Sequence, residues 1–489
     1  MGYSIFKLNR YLKKLSLISI LITVCLLSIS FLNKSTTEMF VLGSIIHKSD
    51  VSKYTSIFST LLKPQCEPLK NYKLDSSKYW SYYGSTTGSG SVSDSRLSEE
   101  VLGNILDVSV DQENEIKRIH EELLNKYLND DYKLYQNLKR EVNRNKGQGI
   151  VYLSGKKYYW LTILSIKYIR SILNDQVPIE IFIPIRDKHD HYCNKIRNVF
   201  SNVKCSYFTD YLSKSQVVQL SGYQYKSLAL IFSTFNEILY LDSDSIPLVK
   251  TDTIFNNPNF KKTGFVSWPD FWKRSTNYKF YNMAGLSGFA KPISTLPSVE
   301  SGQILINKST HLKTLILAYY YNFYGPDYFY PLFSQGFPGE GDKETFYLAS
   351  RVVNEDCYLI TGLKTKTFGS KDKQGSYKGQ GILQTDPGDK STYWFLHVNY
   401  PKLQANELIK TGYMKENKRH WSLIRNAEND GNVLDFRGTL GGDLELTMWQ
   451  LMTEILSIDF KGFRLFEEIG NDELADYTVE YSKVLKNIV

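Results

Sequence analysis

The pattern of apolar and polar positions divides the chain into five stretches. Residues 1–14 carry Lys7, Arg10, Lys13 and Lys14 and no acid, and Leu15 to Leu32 then runs for 18 residues without a charge. At ~1.5 Å per residue that run reaches about 27 Å, enough for a thin bilayer. With Lys34 and Glu38 beyond it, the charge order predicts a cytosolic tail (1–14), a transmembrane signal anchor (15–32) and a lumenal remainder. A cleaved signal peptide is the alternative, with Ser28 and Ser30 as its cleavage pattern, although the run is longer than the usual apolar core of such a peptide. Residues 33–96 read as a stem, with a Gly/Ser-rich stretch from Ser81 to Ser95. Residues 97–146 are charged and helical in period, extending the stem or packing on the domain that follows. Ile116, Ile119, Leu123, Leu124 and Leu128 share a helical spacing, with Asp111 as N-cap and Glu113 and Glu115 in the first turn.

At residue 147 the texture changes to that of a folded α/β domain running to 489. Ile150-Val151-Tyr152-Leu153 predicts a buried strand, Tyr158 to Leu173 a helix, and Pro178 to Pro184 a second strand. Tyr223 to Ser233 predicts another helix and Glu237 to Leu241 a third strand. That alternation implies an α/β fold with a Rossmann-like, mainly parallel sheet and ligands beyond the carboxyl ends of its strands. From about Asn406 the pattern is mainly helical, most clearly over Leu444 to Ile458.

Composition narrows the function. Hydrophobic residues make up 42% and charged residues 22%, which excludes a wholly disordered chain and a polytopic membrane protein. The 36 Tyr, 26 Phe and 7 Trp supply rings for a large core and for stacking surfaces. A net charge of +8 without a dense basic stripe does not point to nucleic acid. No Cys-x-x-Cys pair occurs and the seven His are scattered, which argues against a structural zinc site. Cys66, Cys193, Cys205 and Cys357 would share the lumen and allow three full pairings. Cys193 and Cys205, nearest in sequence, are the first pair to expect, with buried free thiols as the alternative. Asn33 and Asn307 head Asn-Lys-Ser sequons, and Asn307 is the glycosylation candidate.

The chemistry concentrates where the third predicted strand runs into Asp242-Ser243-Asp244. Extended i, i+2 spacing puts both carboxylates on one face, towards the ligand crevice. Two such anions repel each other and resist desolvation, and a divalent cation relieves both. Hard oxygen ligands suit Mn²⁺ or Mg²⁺, with phosphate oxygens completing the shell.

With those residues in place, the chain resembles the fungal Golgi α-1,2-mannosyltransferases that branch the outer-chain mannan of N-glycans. These lie within a broader family that includes α-1,3-transferring members. The resemblance covers roughly Gly147 to Lys402. It rests on Gly149-Ile150-Val151, the segment Pro178 to Pro184, Gly222-Tyr223-Gln224-Tyr225-Lys226 and Leu241-Asp242-Ser243-Asp244. It continues through Trp268-Pro269-Asp270-Phe271-Trp272, Glu300-Ser301-Gly302-Gln303, Gly325-Pro326-Asp327 and Gly339 to Phe346. Ser245 departs from the pattern, where Asn is expected after Asp-Ser-Asp. The resemblance implies a GT-A-like fold, GDP-mannose as donor, dependence on Mn²⁺ ahead of Mg²⁺, and retention of the α anomer. It further implies an α-mannan or oligomannose acceptor on glycoproteins and residence in the Golgi membrane as a type II protein.

The remaining roles are expectations. Glu340, Asp342 and Glu344 are catalytic candidates, for orienting the acceptor hydroxyl or stabilising charge at the sugar. The plain alternative for Asp342 and Glu344 is a favourable place at a helix N-terminus. His397 joins Asp242 and Asp244 as third metal ligand by likeness to metal-dependent GT-A enzymes, with Asn399 and Lys402 at the diphosphate. Lys226 is either a donor-diphosphate contact or a solvated helix lysine. Trp268, Asp270 and Trp272 form a sugar platform or else a core cluster. Glu300 and Gln303 are expected in a polar turn lining the pocket. Retention admits same-face attack through an oxocarbenium-like state or a double displacement through a carboxylate. Three other readings remain: α-1,3-mannosyl or mannosylphosphate transfer on the same scaffold, a lumenal glycoside hydrolase, and a non-catalytic mannan-binding protein.

Overall fold

The computed structural model describes residues 58, 62–80, 98–156, 158–186, 190–286, 297–360, 365–389, 391–426, 433–461 and 471–488. The tail at 1–14 and the anchor at 15–32 lie outside these residues. No helix among those described is long and apolar enough to cross a membrane.

The alternation read from residue 147 is present, with one strand more. The chain forms β1 (Gln148–Leu153), β2 (Ile179–Ile183), β3 (Val203–Tyr207) and β4 (Glu237–Leu241), in the spatial order β3-β2-β1-β4 and all parallel. The strand carrying Asp-Ser-Asp is therefore the fourth. β3 shows no apolar run because it is an edge strand whose Lys204 and Ser206 serve the buried Glu180 of β2, at 3.1 Å and 2.6 Å. Helices Tyr158–Ser171 and Lys226–Phe232 follow the predicted positions. The Cys193–Cys205 disulfide ties helix Asp190–Val199 to β3, and Cys66 and Cys357 are free thiols.

Antiparallel strands extend this sheet to seven. β4 pairs with β7 (Pro297–Asn307), β7 with β6 (Phe265–Lys273), and β6 runs parallel to β8 (Tyr358–Leu359). Glu300 and Gln303 lie inside β7, not in the expected turn. Asn307 ends β7, half-buried, with its side-chain oxygen accepting from Ser309 Oγ at 2.8 Å.

A second sheet was not predicted. It contains β5 (Ser245–Pro247), β9 (Lys366–Lys371), β10 (Tyr377–Thr385), β11 (Tyr393–His397), β12 (Leu423–Asn426) and β13 (Val433–Asp435). They lie in the order β13-β12-β9-β10-β11-β5, every pair antiparallel. Most of its strands are broken by Gly, Lys or other polar residues; only β11, Tyr393-Trp394-Phe395-Leu396-His397, carries an apolar run. Two of them fall in the region read as mainly helical after Asn406, where helices Leu444–Glu454 and Asn471–Asn487 are also found.

Part of the segment read as stem is packed on this body. Leu69 is fully buried and donates its N–H to Asp327 O at 2.8 Å, and Asp107 N donates to Asn71 O at 2.8 Å. The helix over Val110–Glu122 is capped by Ser109, not Asp111, in a reciprocal box with Gln112 that satisfies two otherwise unpaired backbone donors. It docks through Ile116, Ile119 and His120. His120 is buried with Nε2 2.7 Å from Tyr321 Oη, and burial pushes its pKa from 6.5 down to about 4. A base with a depressed folded-state pKa binds protons less readily folded than unfolded. Its contribution is complete above pH 6.5 and is lost as pH falls towards 4, a change of ~3 kcal/mol. His120→Gln is expected to flatten that slope in urea unfolding between pH 7 and 4.5. An unchanged slope would remove His120 as its source.

Candidate active site

The site forms where the two sheets meet. β4 belongs to one sheet and β5 to the other, and the three residues between them are Asp242, Ser243 and Asp244. The two carboxylates do not leave an extended strand. They sit at the first and third positions of a β-turn closed by Ser245 N donating to Asp242 O at 2.9 Å. β7 holds one side of the turn, with Asp242 N donating to Gly302 O at 2.8 Å. β11 holds the other, with His397 paired to Ser245 and Val398 N donating to Asp244 O at 3.0 Å. Strand register alone therefore brings His397 to a motif more than 150 positions earlier in the chain.

Asp242, Asp244 and His397 offer ligand atoms that all lie within 4.8 Å of one another. His397 Nε2 is 3.3 Å from Asp244 Oδ1, and His397 Nδ1 is 3.7 Å from Glu300 Oε2. Burial favours a neutral imidazole, but the two carboxylates outweigh it and hold the His397 pKa well above its ordinary value. Glu300 is fixed in turn, because its Oε1 accepts from Ser301 N at 2.9 Å and Gly302 N at 2.7 Å. Only glycine fits at 302, since a Cβ there would lie 2.5 Å from His397 Cε1. Lys402 Nζ is drawn onto Asp244 Oδ2, and Asn399 Nδ2 lies 3.5 Å from His397 Nε2. Burial raises the Asp244 pKa, yet His397 and Lys402 together hold it well below the carboxylate range. Two carboxylates and an imidazole converging at this spacing fit a hard or borderline divalent cation.

Lys226 is placed differently from either expectation. It is almost wholly buried, so it is not a solvated helix lysine. Its ammonium lies 3.3 Å from Asp242 Oδ1 and 2.9 Å from Asp342 Oδ2, and donates to Ser301 O at 2.8 Å. It joins the metal-ligand pair to the acidic loop and has no exposed face for a diphosphate. Tyr240 Oη adds a hydrogen bond to Asp242 Oδ1 at 2.8 Å.

The acidic loop precedes helix Thr345–Val352, as its sequence implied. Asp342 is buried, and Ser301 Oγ donates to its Oδ1 at 3.2 Å. Burial, aided by the charge of Asp242 and opposed by Lys226, moves its pKa up to about 6. Glu340 lies exposed on the rim. Glu344 is buried, with Oε1 accepting from Ser298 Oγ at 2.6 Å and from Val299 N at 3.3 Å, which ties it to the amino end of β7.

The sugar platform divides. Trp268 is fully buried, with Nε1 donating to Thr385 O at 2.9 Å and its ring edge-on to Phe395. It belongs to the core. Trp268→Phe is expected to lower stability by ~2 kcal/mol with acceptor and donor KM within twofold of wild type. A tenfold rise in acceptor KM without loss of stability would return it to the site. Asp270 is buried in an ion pair with Lys343 at 3.0 Å, and only Trp272 of the three stays partly exposed. Gln303 is buried beneath the turn, where its Oε1 accepts from Ser245 Oγ at 3.4 Å. Ser301 and Tyr240, which support Asp342 and Asp242, were not predicted. Ser301 lies within the Glu300-Ser301-Gly302-Gln303 motif, but the motif does not show which partner its hydroxyl meets, and the role of both residues arises from strand pairing.

A family model described as "Mannosyltransferase putative" matches residues 147–297 and 293–386. The chain is 33% identical over 426 residues to α-1,2-mannosyltransferase MNN23 of Candida albicans, covering 68% of this chain and 70% of that one. It is 29% identical over 500 residues to MNN21 of the same organism, covering 87% and 73%. With α-1,2-mannosyltransferase MNN2 of Saccharomyces cerevisiae it shares 29% identity over 417 residues, 67% of each chain. Among solved structures, galactosyltransferase LgtC with donor and acceptor sugar analogs is matched at 11% identity and TM-score 0.25, over 37% of this chain and 66% of that one. Mouse xyloside xylosyltransferase 1 is matched at 12% identity and TM-score 0.29, over 44% and 85%. The sequence relatives carry the assignment: this chain belongs to the fungal α-1,2-mannosyltransferase family and is a glycosyltransferase.

Proposed function

We propose that the chain transfers mannose from GDP-mannose to the α-mannan of N-glycan outer chains. It forms α-1,2 branches with retention, in a GT-A-like domain anchored in the Golgi membrane through residues 15–32. The observation that carries this reading is the convergence of Asp242, Asp244 and His397 within 4.8 Å at the seam of the two sheets. Mn²⁺, ahead of Mg²⁺, suits that donor set, and when bound it neutralises the departing diphosphate as a Lewis acid.

The chain's own residues have separable tasks. Asp242, Asp244 and His397 hold the cation, while Glu300 orients the imidazole. Lys402, about two-fifths exposed, and Asn399 stand beside Asp244 and His397 to meet phosphate oxygens. Lys226 positions Asp242 and Asp342. Asp342, with its oxygens engaged by Lys226 and Ser301, stabilises positive charge at the sugar carbon. That engagement favours an oxocarbenium-like state and same-face attack over a covalent intermediate on this carboxylate.

The test is incubation of the full chain with GDP-mannose, Mn²⁺ and an α-1,6-linked mannose oligomer, followed by linkage analysis. A new α-1,2 bond that requires metal is expected. A metal-independent product, or none from a protein that fails to bind GDP-mannose, would overturn the assignment.

A further inference from the structure

The loop at 336–342 ends in the buried Asp342, and three aromatic side chains lie against it. Tyr223 is 43% exposed and Tyr72 is 44% exposed, while Trp272 is half-buried. Gly341 has φ 151°, and a Cβ there would lie 3.1 Å from Tyr223 Cζ. Gly339 has φ 81°, and a Cβ there would lie 3.0 Å from Trp272 Cδ1. On the remaining side, a Cβ on Gly336 would lie 3.7 Å from Tyr72 Cε1. Glu340 sits between Gly339 and Gly341, the two glycines packed on Trp272 and Tyr223, and is exposed. Both phenols are shifted upward, chiefly by burial, with Asp342 and then Glu340 adding to it at Tyr223 and Glu340 at Tyr72.

Tyr72 comes from the segment 62–80, outside the region matched by the family model. The segment is held rigidly. Tyr72 bridges to Leu106, Ser76 Oγ donates to Gly336 O at 3.0 Å, and Tyr328 Oη donates to Cys66 O at 2.8 Å. Lys73 N donates to Ile105 O at 2.9 Å. A large ring kept exposed on a well-anchored backbone, beside an exposed carboxylate, matches the way sugars are bound. Axial C–H faces lie on the ring while hydroxyls bond the acid.

The contacts also give the site a direction. From the metal-ligand residues it passes through Lys226 to Asp342, and from Asp342 back along the loop to Gly341, Glu340 and Gly339, against which Tyr223 and Trp272 pack. The donor diphosphate belongs at the first end, which leaves the second for the acceptor. We infer that Tyr72 and Tyr223, flanking Glu340, form the acceptor subsite, so that a segment preceding the catalytic sheet selects the mannan chain. This deepens the mannosyl-transfer reading and rests on it.

The experiment compares the full wild-type chain with Tyr72→Ala, Tyr72→Phe and Tyr223→Ala, using GDP-mannose and an α-1,6-linked mannose oligomer. Tyr72→Ala is expected to raise acceptor KM about tenfold and leave donor KM within twofold, with Tyr72→Phe near wild type. Tyr223→Ala behaves like Tyr72→Ala. An acceptor KM unchanged in both alanine variants overturns the subsite, and so does an equal rise in donor and acceptor KM, which marks a general distortion. Direct titration of the same oligomer into each protein separates this inference from the donor assignment. If wild type proves not to use GDP-mannose, weaker oligomer binding by Tyr72→Ala than by Tyr72→Phe still supports the subsite. Equal binding overturns it.

Discussion

Replacing Asp242 and Asp244 together by asparagine is expected to lower transfer by on the order of 10³-fold or more and to abolish Mn²⁺ binding. Asparagine keeps the size of each side chain and so preserves the turn, whose closing bonds are all made by backbone atoms: Ser245 N to Asp242 O, Asp242 N to Gly302 O and Val398 N to Asp244 O. What disappears is charge. Around this turn the anions Asp242, Asp244, Glu300 and Asp342 face Lys226, Lys402 and His397, so the carboxylates already offset one another's neighbours. Neutralising the pair turns a net anionic pocket into one that repels a divalent cation. Initial rates across a Mn²⁺ series, with calorimetric titration of the ion alone, give both readouts. A double variant that still turns over within tenfold of wild type and still needs metal would falsify the ligand assignment.

Lys226→Met is the second large effect, and it acts on stability as well as on rate. The ammonium is almost wholly buried and holds Asp242 and Asp342 together. Removing one partner of a buried ionic group leaves the others unpaired, at a cost of about 3–5 kcal/mol. Arginine does not restore the protein, because a planar fork cannot enter a space shaped for an ammonium that also donates to Ser301 O. Urea unfolding should show the loss. Adding Asp342→Asn to Lys226→Met should recover part of it, since one of the stranded charges is then gone. Full additivity of the two substitutions would mean that Lys226 and Asp342 do not form the unit described.

The role of Lys226 also shows how far sequence reading reaches. Its helix was legible from an apolar run between Tyr223 and Ser233, yet its partners lie 16, 75 and 116 positions away in the chain. Nothing local separates a lysine that points at solvent from one that bridges two carboxylates. Trp268 and Glu344 illustrate the opposite error. Each sits in a sugar-enzyme motif, and each is withdrawn by packing: Trp268 against Phe395 and Thr385, Glu344 against the amino end of β7. A motif marks where a chain is specialised, not which of its side chains face the crevice.

The sequence by itself determined the parallel start of the domain, because β1, β2 and β4 are buried on both faces and read as apolar runs, broken within β2 only by the buried Glu180. It also determined the position of the acidic pair, since two carboxylates directly after such a run leave the core at the strand's end. The edge strand β3 and the whole second sheet required the tertiary structure. Apart from β11 these strands are short, polar or glycine-broken, and pairings distant in the chain, β5 with β11 and β9 with β12, hold the second sheet together. The same long-range pairing brings His397 to Asp244, Glu300 to His397 and Tyr72 to the loop beside Asp342. Local periodicity records which way a side chain faces within its own element. Which elements meet is decided by register and packing, and the site exists only where they meet.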